Sequence, residues 1–105
     1  MTGYQRTPQH PATGAWMPGH PAGSRKFFTL DRPLALDGAV TLRDVVVAYE
    51  TWGTLSPTAD NAVLLCHAWT GDSHAAGRAE AGHPTPGWWE EVVGPGLAVD
   101  TDRFF

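Results

Sequence analysis

The most informative part of this sequence is the stretch Asn61-Ala62-Val63-Leu64-Leu65-Cys66-His67-Ala68-Trp69-Thr70-Gly71-Asp72-Ser73-His74. Residues 62–66 are apolar in succession, and a run without polar alternation is typical of a strand buried on both faces. Polar side chains follow this run at once. Because open α/β sheets bind ligands beyond the carboxyl ends of their strands, the stretch predicts a central strand over 62–66 and a functional loop over 67–74.

Two apolar segments before this stretch predict further strands. Residues 27–30 and 34–36 are short strand-like pieces, and Asp37-Gly38 predicts a hairpin turn. Residues 42–49, with three consecutive valines at the centre, predict a second, β-branched strand. The order of the strands stays open here, because a short connection can join neighbours or pass over the edge of a sheet.

The segment after the functional loop is rich in turn signals. Residues 71–87 hold four glycines and two prolines, which predicts a long loop, and long ordered loops are usually functional. Residues 88–93 predict one or two helical turns, stopped by Gly94-Pro95-Gly96. Residues 100–103 predict a polar turn. Phe104-Phe105 begin an apolar strand, and we expect the chain to be a truncated piece of a larger domain.

Composition excludes several classes of protein. The chain has 7 Lys+Arg against 11 Asp+Glu and no basic cluster, so we expect no nucleic-acid partner. It has one cysteine, no apolar run of membrane-spanning length and no signal-peptide pattern, so we expect a cytoplasmic protein without a membrane partner. Residues 1–25 hold four glycines and four prolines and predict a flexible extension to a folded part at 26–105.

Two candidate nucleophiles are present. Gly71-Asp72-Ser73-His74-Ala75 approaches the elbow G-x-S-x-G, in which a sharp turn exposes a catalytic serine. However, alanine replaces the last glycine, and four residues separate the motif from the predicted strand, so a serine in a polar loop is the simpler interpretation. Cys66 and His67 form no thiolate–imidazole pair, because adjacent residues on a strand point to opposite faces. Cys66 is better explained as a small buried residue.

The histidines near the predicted strand are candidate metal ligands. His67, His74, His83 and Asp72 match no known zinc spacing, so we expect no metal and interpret the histidines as hydrogen-bonding groups that orient the loop. The turn at residues 67–71 also matches a role in catalysis. In α/β-hydrolase enzymes the loop after the third strand supplies one N–H of the oxyanion hole, and a strand followed at once by a histidine and a small residue fits that role.

These residues resemble the homoserine O-acetyltransferases, α/β-hydrolase enzymes that acylate homoserine for methionine synthesis. The similarity lies in six blocks, AYETWGTL (48–55), NAVLLCHA (61–68), TGDSHAAG (70–77), GWW (87–89), VGPG (93–96) and DTDRFF (100–105). Residues 12–16 and 18–19 are also similar to the extension of actinobacterial members. The implied fold class is α/β, the N-terminal part of an α/β-hydrolase fold with the first strands of the central sheet and the oxyanion loop, incomplete at the C-terminus.

The resemblance implies one catalytic group, the backbone N–H of Trp69 as an oxyanion-hole donor. Family members usually carry leucine at this position, but a main-chain donor survives that change. The side chains and glycine that would support the loop are His67, Ala68, Thr70, Gly71, Asp72, Ser73 and His74. The family's nucleophilic serine, triad acid and triad histidine have no counterpart in this chain.

The implied reaction moves an acetyl group from acetyl-CoA to the hydroxyl of L-homoserine through a serine acyl-enzyme. Acetyl-CoA would be a co-substrate, no cofactor would be bound, and the intact enzyme would be a homodimer. We expect the 105-residue chain alone to be poorly stable and inactive. The alternatives are a serine O-acyltransferase, a homoserine O-succinyltransferase, or a non-catalytic α/β binding module, which is disfavoured because it would leave a hydrophobic sheet edge unpaired.

Overall fold

A computed structural model describes residues 16–105 of the chain, and these residues form short strands joined by turns. The strands are β1 (Lys26–Thr29), β2 (Leu34–Ala35), β3 (Thr41–Leu42), β4 (Val46–Tyr49), β5 (Val93–Gly94) and β6 (Val99–Asp100). The described residues contain no helix, so none there has the length and apolar character to cross a membrane. Most of the predicted extension, residues 1–15, lies outside the described part.

The first four strands pair as two antiparallel sheets. β1 pairs with β4, with Lys26 opposite Tyr49. β2 pairs with β3 across the turn at Asp37-Gly38, so the hairpin turn predicted at that dipeptide is confirmed. Gly38 has a φ of 81° and Ala39 a φ of 63°, and hairpin turns of this kind need such left-handed residues because their twist matches that of the flanking strands.

Residues 42–49 were predicted to form one continuous strand, and this prediction was wrong. β3 ends at Leu42 and β4 begins at Val46. Asp44 between them has a φ of 52°, in the left-handed region, which is incompatible with the extended backbone of a strand. The valine-rich half of the segment therefore pairs with β1, while the other half closes the hairpin.

The central strand predicted over residues 62–66 is not a strand in this structure. It is paired at one end only, where the Val63 N–H donates to the Phe105 carbonyl at 2.8 Å and the Phe105 N–H donates to the Asn61 carbonyl at 2.9 Å, the pattern of a parallel pair. Leu64 is 87% exposed and Cys66 is also exposed. The predicted burial was wrong because it requires neighbouring strands and covering elements that residues 16–105 do not supply.

The one or two helical turns predicted over residues 88–93 are present in part, as turns that do not continue into a helix. The N–H groups of Val92 and Val93 both donate to the Trp89 carbonyl, at 2.9 and 3.0 Å, which makes consecutive turns. Val93 then enters β5, which pairs in parallel with β6. The polar turn predicted at residues 100–103 is confirmed, since the N–H groups of Arg103 and Phe104 donate to the Asp100 carbonyl.

The buried part of the described molecule is small, and half of its residues are polar. Its buried apolar residues are Ala75, Ala76 and Val93, and its buried polar residues are Arg25, His74 and His83, whereas many large apolar side chains are exposed. Several of these line an open concavity of about 770 Å³ between β4, residues 62–67 and Phe104-Phe105. Apolar burial therefore organises little of the interior here, and a network of buried polar side chains holds the loops in place.

Candidate functional site

The predicted functional loop begins with a tight turn at residues 67–71. The Gly71 N–H donates to the Ala68 carbonyl at 2.9 Å, and His67 Nδ1 approaches the same carbonyl at 2.6 Å. A Cβ at position 71 would lie 2.9 Å from the His67 Cβ, so the turn closes this tightly only with glycine there. The Trp69 residue is 99% exposed, and its backbone N–H donates no hydrogen bond to any of residues 16–105.

Asp72 fixes the chain immediately after this turn. Its Oδ1 accepts the backbone N–H of His74 at 2.9 Å, a local Asx turn, and its Oδ2 accepts Arg25 Nη2 at 3.1 Å. The Arg25 side chain is 2% exposed and that of Asp72 is 24% exposed. Arg25 also donates to the Gly82 carbonyl, and Trp88 Nε1 donates to the Asp72 carbonyl at 3.0 Å. Arg25, in the segment before β1, thus binds both Asp72 and Gly82.

Glu50, directly after β4, is the centre of the buried network. Its side chain is 2% exposed, and its Oε1 accepts Ser73 Oγ at 3.0 Å and faces His83 Nε2 at 3.1 Å. Its Oε2 lies 3.0 Å from His74 Nδ1. Three side chains therefore converge on one carboxylate, those of Ser73, His74 and His83. Hydrogen bonds to a carboxylate are stronger than those between neutral groups.

His83 is the most enclosed member of this network. It is 1% exposed, and its ring stacks on that of His74 with centroids 3.7 Å apart. Burial lowers the pKa of His83 below its usual 6.5, because removal from water disfavours the charged ring. A Cβ on Gly23 would lie 2.6 Å from the ring, so a glycine with a φ of 60° admits it. The Ser24 N–H approaches the same Nε2 at 3.3 Å, while Nδ1 has no partner among the described residues.

The same three side chains offer a set of metal donors. One ligand atom from each of Glu50, His74 and His83 lies within 4.8 Å of the others. The two imidazole rings, however, are stacked with planes only 12° apart, and a ring nitrogen presents its lone pair in its own plane. Two nearly parallel rings cannot both direct lone pairs at one ion, so the arrangement is that of a hydrogen-bonded network.

The structure separates the predicted site residues into two groups. Asp72, Ser73 and His74 join the buried network, with Gly71 as the link to the turn. The exposed group is His67, Ala68, Trp69 and Thr70. Within residues 16–105 the Ser73 hydroxyl hydrogen-bonds to the Glu50 carboxylate and to no imidazole, so the acid lies between serine and histidine, whereas in a catalytic triad the histidine lies between serine and acid.

Sequence reasoning missed two members of the network, Glu50 and Arg25. Glu50 carried a signal that was not used, a single carboxylate placed directly after an apolar strand. His83 was interpreted as a hydrogen-bonding group that orients the loop, but its burial beside Glu50 was not foreseen. Arg25 carried no signal, because its partner Asp72 lies 47 residues away and the arginine was assigned to the flexible extension.

Comparison with known structures gives the class of protein. The chain matches the crystal structure of homoserine O-acetyltransferase from Bacillus anthracis with a TM-score of 0.66 and 37% identity, covering 77% of this chain and 21% of that one. It matches the crystal structure of esterase E22 with a TM-score of 0.66 and 38% identity, covering 76% and 22%. The described segment is thus a strand-rich part of an α/β-hydrolase-type enzyme.

Comparison with curated sequences gives the family. The chain is 54% identical over 102 residues to the homoserine O-acetyltransferase of Thermobifida fusca, covering 97% of this chain and 27% of the relative. It is 59% identical over 75 residues to the homoserine O-succinyltransferase of a Nocardioides species, covering 71% and 20%. It matches no family model. The chain is therefore similar to one segment of the homoserine O-acetyltransferases, and it spans about a quarter of the length of the curated relatives that it matches.

Proposed function

We propose that the chain is part of an acyltransferase that moves an acetyl group from acetyl-CoA to the hydroxyl of L-homoserine through a serine acyl-enzyme. The observation that carries this proposal is the 54% identity to the Thermobifida fusca enzyme over nearly the whole chain. Its intact form would be a homodimer that binds no cofactor. The segment would contribute binding surface and one oxyanion donor, while the nucleophile and its partners come from the rest of the enzyme.

The proposed donor is the Trp69 backbone N–H. A donor for an oxyanion must be free of other partners in the resting enzyme and held by a rigid backbone. The first condition is supported by the lack of any hydrogen bond from this N–H to residues 16–105, and the second by the Gly71-to-Ala68 bond that closes the turn. The Trp69 indole is exposed, so we assign the role of oxyanion donor to the backbone amide and not to the side chain.

The test of the proposed function is a hybrid enzyme, in which this chain replaces the matched segment of the Thermobifida fusca homoserine O-acetyltransferase. We expect the hybrid enzyme to transfer acetyl groups from acetyl-CoA to L-homoserine, measured by release of the CoA thiol. The unaltered Thermobifida fusca enzyme is the reference. A folded hybrid dimer with no transferase activity would contradict the proposal.

The role of Trp69 is tested by two substitutions in the hybrid enzyme. Trp69→Pro deletes the N–H and should lower kcat by about 10²–10³-fold, the usual effect of losing one oxyanion donor. Trp69→Ala keeps the N–H and should lower kcat by less than about 10-fold, through substrate fit alone. Thermal unfolding must first show that both variants fold. Equal losses of kcat in two folded variants would assign the effect to the indole and refute the amide's role.

A second candidate is succinyl transfer, favoured by the 59% identity to the Nocardioides homoserine O-succinyltransferase. The hybrid enzyme separates the two donors when it is assayed with acetyl-CoA and with succinyl-CoA. If this segment influences the choice of donor, the ratio of kcat/KM for the two donors should shift toward succinyl-CoA relative to the Thermobifida fusca enzyme. An unchanged ratio would place the choice of donor outside this segment.

A further inference from the structure

The Glu50 carboxylate joins the loop that follows the oxyanion turn to the rest of the segment. It accepts Ser73 Oγ at 3.0 Å and lies 3.0 Å from His74 Nδ1, and these are consecutive residues. Its third neighbour is His83, which follows Gly82, the residue whose carbonyl accepts a hydrogen bond from Arg25. Since the carboxylate follows β4, it connects the paired strands to the start of residues 71–77.

The position of the turn depends on this connection. Trp69 is fully exposed, and within the described residues the turn around it is closed only by the Gly71-to-Ala68 bond and by the approach of His67. The direction of its backbone is therefore set by the anchors at its two ends. On one side the chain is paired through Val63 with Phe105, and on the other it is anchored at Asp72–His74. Loss of Glu50 would remove the bonds of the Ser73 and His74 side chains from the second anchor and leave the bonds of Asp72 to Arg25 and Trp88.

Both ring nitrogens of His74 have hydrogen-bonding partners. His74 Nδ1 faces Glu50 Oε2 at 3.0 Å, and His74 Nε2 faces the Arg78 carbonyl at 3.2 Å. The side chain at position 50 therefore fixes one edge of the ring, while the Arg78 carbonyl fixes the other. A glutamine there could accept from Ser73 and donate to His74, and so would keep the connection in neutral form.

We propose that Glu50 is a positioning residue for acyl transfer, which holds the Trp69 N–H in line through Ser73 and His74. The proposal rests on the proposed function, because it assigns Glu50 a role in that reaction, but the geometric part concerns the turn alone. The carboxylate touches no substrate in this role. Its removal should therefore lower kcat and leave both KM values unchanged, because it acts on a group that matters most in the transition state.

The experiment compares Glu50→Ala, Glu50→Gln and a control, Glu80→Gln, in the hybrid enzyme. Glu80 is an exposed carboxylate that accepts Ser24 Oγ at 2.8 Å, and its side chain has no hydrogen bond to Ser73 or His74. Glu50→Ala should lower kcat by up to about 10²-fold, the scale of a misplacement of about 1 Å, with KM values within twofold of the parent. Glu50→Gln should recover most of the loss, and Glu80→Gln should have kcat within twofold of the parent.

Amide hydrogen exchange gives a readout that does not depend on activity. In Glu50→Ala the Gly71 amide should exchange at least 10-fold faster, because the turn loses the part of its anchor that Ser73 and His74 supply, while the Leu30 amide, bonded to Val45 next to the β1–β4 pair, should keep its rate. A purely structural role of Glu50 would accelerate both amides. If the hybrid enzyme is inactive, the proposed function fails, and the exchange rates still decide whether Glu50 positions the turn.

The results that would overturn the inference are specific. A folded Glu50→Ala variant with unchanged kcat, with unchanged Gly71 exchange, or with a loss that appears in KM would each contradict it. If Glu50→Ala does not fold, Ser73→Ala removes one of the two links in a milder way. A fall in kcat and faster Gly71 exchange in Ser73→Ala would support the inference, whereas parental values of both would refute it.

Discussion

The buried pair of Arg25 and Asp72 offers a test of what holds this segment together. Arg25→Ala removes a guanidinium that is 2% exposed and bonded to a carboxylate and to the Gly82 carbonyl. Breaking a buried ion pair costs about 3–5 kcal/mol, because the remaining partner stays buried without compensation. Asp72 is 24% exposed and keeps its bond from the His74 N–H, so water offsets part of this loss. We expect a loss of about 2–3 kcal/mol in the free energy of unfolding.

The chain contains a matched control. Arg32 lies 3.6 Å from Asp31, with both side chains more than four-fifths exposed. Arg32→Ala should change the free energy of unfolding by less than about 0.5 kcal/mol, since exposed pairs are screened by water. Urea unfolding of the hybrid enzyme and its two variants gives both values from the midpoint and slope. If Arg25→Ala and Arg32→Ala shift the midpoint equally, the buried pair does not organise the segment and the reasoning fails.

Two further predictions concern the environment of the network. Because burial lowers the pKa of His83, the unfolded chain binds more protons than the folded chain just below pH 6.5. The contribution of His83 to stability is therefore present above pH 6.5 and lost as the pH falls. Thermal melts from pH 7.5 to 5.5 should show a shallower decline in melting temperature for His83→Gln than for the parent, and equal slopes in the two proteins would contradict this. A Cβ at Gly87 would lie 2.4 Å from the Ala76 Cα, whereas Gly38 faces open space at a φ of 81°. Gly87→Ala should therefore lower the melting temperature more than Gly38→Ala, whose cost is backbone strain of about 1–3 kcal/mol. An equal or smaller effect at Gly87 would show that the backbone there moves to accept the methyl group.

Local chemistry made some features of the fold predictable. The hairpin turn at Asp37-Gly38 and the polar turn at residues 100–103 follow from side chains and backbone preferences within about four residues, so a short window of sequence suffices. The continuity of the strand over residues 42–49 was not predictable, because its valines favour extended backbone and only the left-handed Asp44 interrupts it. The helical turns predicted over residues 88–93 end at Val93, because Val93 pairs with Val99 in β5 and β6.

The features of the candidate site were also predictable only in part. The sequence alone determined which family the chain resembles, through blocks of residues on both sides of Trp69, and it singled out Asp72, Ser73 and His74 as a polar loop. Only the tertiary structure decided what that loop contacts. Arg25 meets Asp72 across 47 residues and Glu50 meets His74 across 24, and no local pattern encodes contacts over such separations. Burial has the same origin: residues 62–66 have the composition of a buried strand, but a segment is buried only where other parts of a protein cover it.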